Sequence, residues 1–323
     1  MNRWKKDMKY ILKNYQSPGD IVMLTAAVRD LKLSHPEIEI DVDTGCSELW
    51  ENNPHLTKGI DGKRIKADYP LIHESNEGQH HFIHAFRQFL EKELDVRIKP
   101  TTFKGDIHIS DEEKGWTSQV EDMGIKDRFW IINAGGKYDF TAKWWSLISY
   151  QKVINHFKGK ITFVQVGQKE HWHPKLHGVV DLIGKTDLRQ LIRLVYHSSG
   201  VVTGVSLLMH LAAAIESKHG LLNRPGVIIA GGREPVQWEA YPHHRYLAVN
   251  GAMTCCDNGG CWKSRCQLVG DGDKKDTEEL CLHPVELRTK PPIRIPKCMD
   301  MIKAEDVIRA IQTYYTGGVL EFN

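Results

Sequence analysis

The chain has 323 residues, 41% of them apolar and 26% charged, with a formal net charge of +2. Such a length suits two domains of about 150 residues each, and the near-neutral charge gives no electrostatic case for nucleic acid or anionic lipid as a principal partner. No apolar run is long enough to span a bilayer, and residues 1–7 carry no apolar core with a cleavage site. The sequence therefore predicts neither a membrane span nor a signal peptide, and points to the cytoplasm.

Residues 8–14 predict a first strand, Gln16-Ser-Pro-Gly-Asp20 a turn, and residues 21–32 a helix. Asp20 admits two readings. It caps that helix, or it is a carboxylate at the carboxyl end of the first parallel strand, where open α/β sheets bind their ligands. The alternating residues 38–43 predict a second strand and 47–51 a short helix stopped by Asn52-Asn-Pro-His55, with further strands about Ile60 and at 69–73. His80, His81 and His84 share a predicted helix with Phe82, Phe86 and Phe89. His80 and His84 have the spacing to share a metal, but no third ligand stands beside them in sequence, and a partly exposed face is the plainer reading. Residues 106–110 predict another strand, and the polar stretch 111–127 an interdomain linker.

In the second half, the apolar run 129–133 predicts a strand ending in Ala-Gly-Gly-Lys137, followed by Thr141, Lys143 and a helix to about His156. A hydroxyl and a point cation between strand and helix suit a diphosphate; a solvated loop over a packed Trp144 or Trp145 is the alternative. Residues 160–167 and 179–184 predict strands, and 185–195 a helix capped by Thr186 or Asp187. Val201-Val-Thr-Gly-Val-Ser206 then runs from strand through a tight turn into an Ala/Leu helix whose first N–H groups suit a phosphate. Residues 226–232 make the next strand, and this alternation predicts a parallel sheet with helices on both faces. Helix 304–314 is amphipathic through Val307, Ile308 and Ile311.

Six of the seven cysteines fall in the last quarter of the chain, which in a reducing compartment argues for metal ligation over disulfides. Cys256, Cys261, Cys281 and Cys298 supply one close pair and two distant thiolates, with Asp257-Asn-Gly-Gly260 as the tight turn. Cys255 is an alternative to Cys256, and Cys266 to Cys261. Scattered reduced core thiols are the competing reading.

Gly19-Asp20 ahead of Thr25, Asn53-Pro54, Gly135 with Lys143-Trp144, Val166-Gly167 with Glu170, Gly-Lys-Thr-Asp-Leu at 184–188, and Ser206 with His210-Leu-Ala-Ala-Ala214 occur in an order that resembles the family-nine glycosyltransferases, the bacterial ADP-heptose-dependent heptosyltransferases. The resemblance spans about residues 8–250. It implies an α/β protein of GT-B architecture, with two Rossmann-like domains facing a cleft, here 1–125 on the acceptor side and 126–250 on the nucleotide-sugar side. It implies an inverting transferase with Asp20 as general base and no metal at the reacting centre. Gly19, Gly135, Thr141, Lys143, Glu170, Ser206, Met209 and His210 would bind the donor, Lys143 and Thr141 at the diphosphate and Glu170 near the nucleoside. Where the family has an acid before Ser/Thr, this chain has Val205, so the identity of the sugar stays open.

Gly260-Cys-Trp262, Leu280-Cys281 and Pro296-Lys-Cys298 resemble the finger of bacterial autotransporter heptosyltransferases, which holds Fe(III) on four cysteines in a structural role. This implies a finger over 251–300 with iron or zinc as its structural metal, followed by a segment, 301–323, whose helix braces the N-terminal domain. The donor is then expected to be a nucleotide sugar, most simply ADP-heptose, and the acceptor a hydroxyl of a protein or saccharide. A homo-oligomer is left open. The rival reading is a non-catalytic sugar-nucleotide-binding or interaction protein stabilised by the finger, or a transferase for another nucleotide sugar.

Overall fold

The computed structural model describes residues 8–68, 74–78 and 80–323, so the strand expected at 69–73 lies outside the described residues. The first half runs β1 (Lys9–Asn14), α1 (Pro18–Ser34), β2 (Glu39–Thr44), β3 (Lys63–Lys66), α2 (Phe82–Leu94), α3 (Asp111–Gly115) and α4 (Gln119–Asp122). After it come β4 (Phe129–Asn133), α5 (Leu147–His156), β5 (Thr162–Gln165), β6 (Val180–Asp181), α6 (Leu188–His197), β7 (Gly200–Gly204), α7 (Leu207–Ala214), β8 (Gly226–Gly231), α8 (Val236–Glu239) and β9 (Arg245–Ala248). The chain ends with the hairpin β10 (Pro284–Leu287) and β11 (Ile293–Pro296), then α9 (Lys297–Met301) and α10 (Ala304–Thr316).

β1, β2 and β3 form a parallel sheet in the order β2-β1-β3. A second, six-stranded parallel sheet has the order β6-β5-β4-β7-β8-β9. Numbered by their own succession these strands run 3-2-1-4-5-6, the doubly wound arrangement, whose order reverses between β4 and β7. The fold is thus α/β with parallel sheets, as expected.

Local chemistry sets the element ends. Pro18 occupies the first turn of α1 after Ser17, the cap position, where a missing N–H costs nothing. Residues 21–31 of α1 are all buried, because α2 and α7 pack against this helix. Capping boxes start α3 (Ser110, Glu113), α4 (Ser118, Glu121) and α6 (Asp187, Gln190). One apolar cluster passes from Leu12 and Val22 through Leu208 and Leu211 to Val201 and Ile228, so α1 and α7 pack the two sheets together. Arg189 of α6 reinforces this junction, pairing with Glu113 and donating to the carbonyl of His108 at 2.7 Å.

Two expectations are corrected. Residues 106–110 join no sheet, because side chains take the backbone groups a neighbouring strand would use: Asp106 N–H donates to Thr25 Oγ1 (2.7 Å) and the His108 carbonyl accepts from Arg189. The terminal helix α10 does not brace the first half. Val307, Ile311 and Tyr314 pack with Trp130, Val153, Ile154 and Val227 on one face of the six-stranded sheet, and Tyr314 Oη lies within hydrogen-bond distance of the carbonyls of Gly226 (3.0 Å) and His243 (2.9 Å).

Candidate functional site

In a doubly wound sheet the strand-end loops separate at the point where strand order reverses, and a crevice opens there. A cavity of about 1310 Å³ occupies that place. Asn133, Gly135 and Gly136 line it from the loop after β4, Val166 to Glu170 from beyond β5, and Gly204 to Leu208 from β7 into α7. Ser17 to Asp20 line it from the start of α1.

Close packing holds these segments in register. Gly135 has φ +87°, and a Cβ there would lie 2.1 Å from the Trp172 carbonyl oxygen, so the loop after β4 requires glycine where it passes under the loop after β5. Trp172 in turn stacks on Trp144 at 4.2 Å. A Cβ at Gly19 would come within 2.9 Å of the His210 ring, which shows how closely the start of α1 approaches α7. Because the cap position of α1 is Ser17, Asp20 lies in the first helical turn rather than at the cap. Its carboxylate there is favoured by the positive end of the helix dipole.

Charge is concentrated on the wall after β8. Lys143 Nζ lies 2.7 Å from Glu234 and donates to the Val205 carbonyl at 3.3 Å. Arg233 also pairs with Glu234, and its guanidinium lies over the Phe140 and Trp262 rings. Burial alone would push the Glu234 carboxyl up, but these two cations hold it below its ordinary range and therefore charged. Glu239 is placed differently. Burial, with the charge of Glu234 second, raises its carboxyl well above the ordinary range, which favours its protonated form. At the start of α7 no side chain caps the helix, since Ser206 Oγ is bonded to Thr203 Oγ1 at 2.8 Å, and Leu207 and Leu208 of its first turn line the cavity.

Burial also holds three imidazoles neutral, lowering His81 to about 4, His197 to about 4 and His210 to about 3. The unfolded chain takes up these protons near pH 6.5, so below that pH it binds more protons than the native state and stability falls with the pH. Above it the three contribute no slope. Thermal melts should therefore show a steep loss from about pH 6.5 to pH 5, of about 2 kcal/mol per histidine. A melting temperature unchanged down to pH 5 would contradict this reading.

Residues 69–250 match the family model for glycosyltransferase family 9 (heptosyltransferase). The chain belongs to this family. It is a glycosyltransferase. Solved structures agree in fold: the glycosyl transferase family 9 protein of Veillonella parvula is 15% identical with TM-score 0.65, covering 96% of this chain and 98% of that one. The E. coli ADP-heptose lps heptosyltransferase II is 16% identical with TM-score 0.58, over 97% of this chain and 100% of that one. TibC of enterotoxigenic E. coli, an iron-containing dodecameric heptosyltransferase solved with ADP-D-beta-D-heptose, is 15% identical with TM-score 0.63 over 96% of this chain and 76% of its own. No curated protein sequence matches the chain.

In this glycosyltransferase the cavity gathers Gly19, Asp20, Gly135, Lys143, Glu170, Ser206 and His210. It does not take in Thr141 or Met209. Thr141 is fully buried, and its Oγ1 accepts from the backbone N–H groups of Cys266 (2.8 Å) and Gln267 (2.9 Å), which ties the cysteine-rich segment to the loop before α5. Met209 is a core residue of α7. Sequence reasoning missed Arg233, Glu234, Glu239, Trp238 and Trp262, which all line the cavity. A usable signal for Arg233 and Glu234 was their position directly after β8 of the parallel sheet.

Of the cysteines, Cys255, Cys261, Cys281 and Cys298 line a second, small cavity of about 20 Å³. Cys256 does not; its thiol donates to the Met253 carbonyl at 3.4 Å. Four soft thiols are the donor type of a tetrathiolate iron or zinc, although no three of these sulfurs lie within 4.8 Å of one another, against roughly 3.8 Å between the ligands of a closed site. Among the described residues the one group of three or more metal-ligating atoms all within 4.8 Å of each other is elsewhere, at His55, Asp106 and His108. There His108 Nε2 and Asp106 Oδ2 are 2.8 Å apart, and Arg29 lies 3.8 Å from the other carboxylate oxygen. The His80 and His84 pairing is not built: His81 caps α2, and His80 lies edge-on to Trp238 at 5.5 Å.

Proposed function

We propose that this protein is an inverting GT-B glycosyltransferase that moves a sugar from a nucleoside diphosphate, most simply heptose from ADP-heptose, onto an acceptor hydroxyl of a protein or saccharide. One observation carries the reading: at the reversal point of the large sheet, a single cavity gathers Asp20, Lys143 and the start of α7. Inverting transfer needs both a base and a receiver for the leaving group's charge at one site. A base removes the acceptor proton on one face of the anomeric carbon, the acceptor oxygen bonds to that carbon, and the bond to the diphosphate breaks on the far face. Asp20 takes the proton. Lys143 and the N–H groups of α7 receive the charge that grows on the leaving diphosphate, and Glu170 lies toward the nucleoside.

In this reading residues 1–125 serve the acceptor and 126–250 the donor, and residues 251–300 form a finger that holds a structural metal on Cys255, Cys261, Cys281 and Cys298. The metal supplies folding stability there, and the transfer chemistry belongs to the chain's own side chains. The TibC complex supports ADP-heptose as the donor, and its dodecamer and iron support an oligomer and a metal here.

Melting the protein with ADP, UDP and GDP at equal concentration tests the donor site. ADP at 100 times its dissociation constant should add about 2.7 kcal/mol, and incubation with ADP-heptose and acceptor should release ADP. No shift with any of the three nucleotides would overturn the transferase reading of this cavity.

A further inference from the structure

The wall after β8 holds two buried glutamates with opposite fates. Glu234 is the counter-ion of both Lys143 and Arg233. Those bonds use the cations at that wall, and none is left for Glu239, five residues on. Glu239 is 7% exposed, lies on the cavity lining, and has an Oε2 with no hydrogen-bond partner. An unpaired buried carboxyl oxygen is costly, about 1–3 kcal/mol in general, so its retention at a cavity wall points to a ligand that completes it.

Its neighbour is of the same kind. His210 Nε2 lies 3.6 Å from Glu239 Oε2, too far for a direct bond, while His210 Nδ1 is held by Tyr241 Oη at 3.0 Å. A hydroxyl seated beside the line between the two atoms can reach both. A protonated carboxyl offers one donor and one acceptor, and a neutral imidazole nitrogen offers one or the other, which is the complement of a hydroxyl group. Neither offers charge, so the pair does not suit a phosphate or a cation.

We propose that Glu239, together with His210, is a binding subsite for hydroxyls of the donor's sugar. The inference rests on the donor-site reading given above. The location favours the transferred sugar, because Glu239 feels the charges of Glu234, Lys143 and Asp20 together, and Lys143 reaches the Val205 carbonyl at the turn into α7. A sugar joined to a diphosphate at Lys143 and attacked beside Asp20 lies among these groups. The acid that reads the sugar thus stands after β8, where it compensates for an apolar Val205 after β7.

Calorimetric titration of the full chain with ADP and with ADP-heptose tests this. Glu239→Ala should weaken ADP-heptose binding about tenfold, as for one lost hydrogen-bonded group, and change ADP affinity less than about twofold. Glu239→Gln keeps one donor and one acceptor, so its ADP-heptose affinity should stay within about threefold of the parent. Equal effects of Glu239→Ala on the two ligands, or none on either, would overturn the subsite, as would a Gln variant as weak as the Ala variant. If the parent protein binds neither ADP nor ADP-heptose, the donor-site reading itself fails, and that result is distinct from a parent that binds both and a variant that does not discriminate.

Discussion

Replacing Asp20 with asparagine is expected to lower kcat by about 10³-fold and leave ADP affinity within a factor of about two. The size follows from general-base catalysis, since the acceptor hydroxyl is a poor nucleophile until its proton is taken. The selectivity follows from position. Asp20 is in the first turn of α1, on a different element from Lys143 and the start of α7, where the diphosphate is to be held. Stability should change little, because the cap position belongs to Ser17 and a carboxylate in the first turn contributes only about 0.3–1 kcal/mol. The measurement is ADP release from ADP-heptose with acceptor, beside a melt of the same sample. An Asn variant with full turnover would move the base elsewhere, and a variant that melts far lower would make Asp20 a structural residue of α1.

The fold was legible where local pattern and tertiary need agree. The run 129–133 coincides with β4, and the turn at 204–206 joins β7 to α7 as its strand-to-helix composition demands. Legibility failed where a distant partner decides. Thr141 reads as a phosphate hydroxyl until Cys266 and Gln267, about 125 residues on, claim its oxygen. Residues 106–110 alternate like a strand, yet Thr25 and Arg189 satisfy their backbone from other elements. Met209 follows from helix geometry instead. His210 and Leu207 are three apart and share the cavity face, and Met209 is rotated about 100° from His210 into the core. Glu234 and Glu239 look like ordinary surface acids in sequence. They become site residues only because Trp238 stacks on Phe82 of α2 at 4.8 Å and buries the turn that carries them.

A Cys281→Ser protein is expected to lose its bound metal and to melt about 10 °C lower, whereas Cys256→Ser should keep the metal and melt close to the parent. The contrast rests on which cysteines line the small cavity: Cys255, Cys261, Cys281 and Cys298 do, and the Cys256 thiol donates to the Met253 carbonyl. The stability effect is expected because the segment 251–300 has little apolar core of its own, with Ile293 and Ile295 its buried aliphatics. Much of its order comes from polar ties: Arg265, fully buried, bonds Asp139, Asp271 and Asp276 at 2.7 to 2.9 Å. Asn76 also clasps Gly260 and Trp262 from the first half. A thiolate clip would close the ends of this segment over a long stretch of chain, at a spot where Cys261 N–H already donates to the Gly232 carbonyl at 3.2 Å. Because Arg233 and Glu234 follow Gly232 directly, losing the clip should loosen the donor wall second, after metal content and melting have already fallen. Elemental analysis for iron and zinc, with melts of both variants, checks the order. Full metal content and an unchanged melt in Cys281→Ser would exclude the finger, and metal loss in Cys256→Ser alone would return the fourth ligand to Cys256.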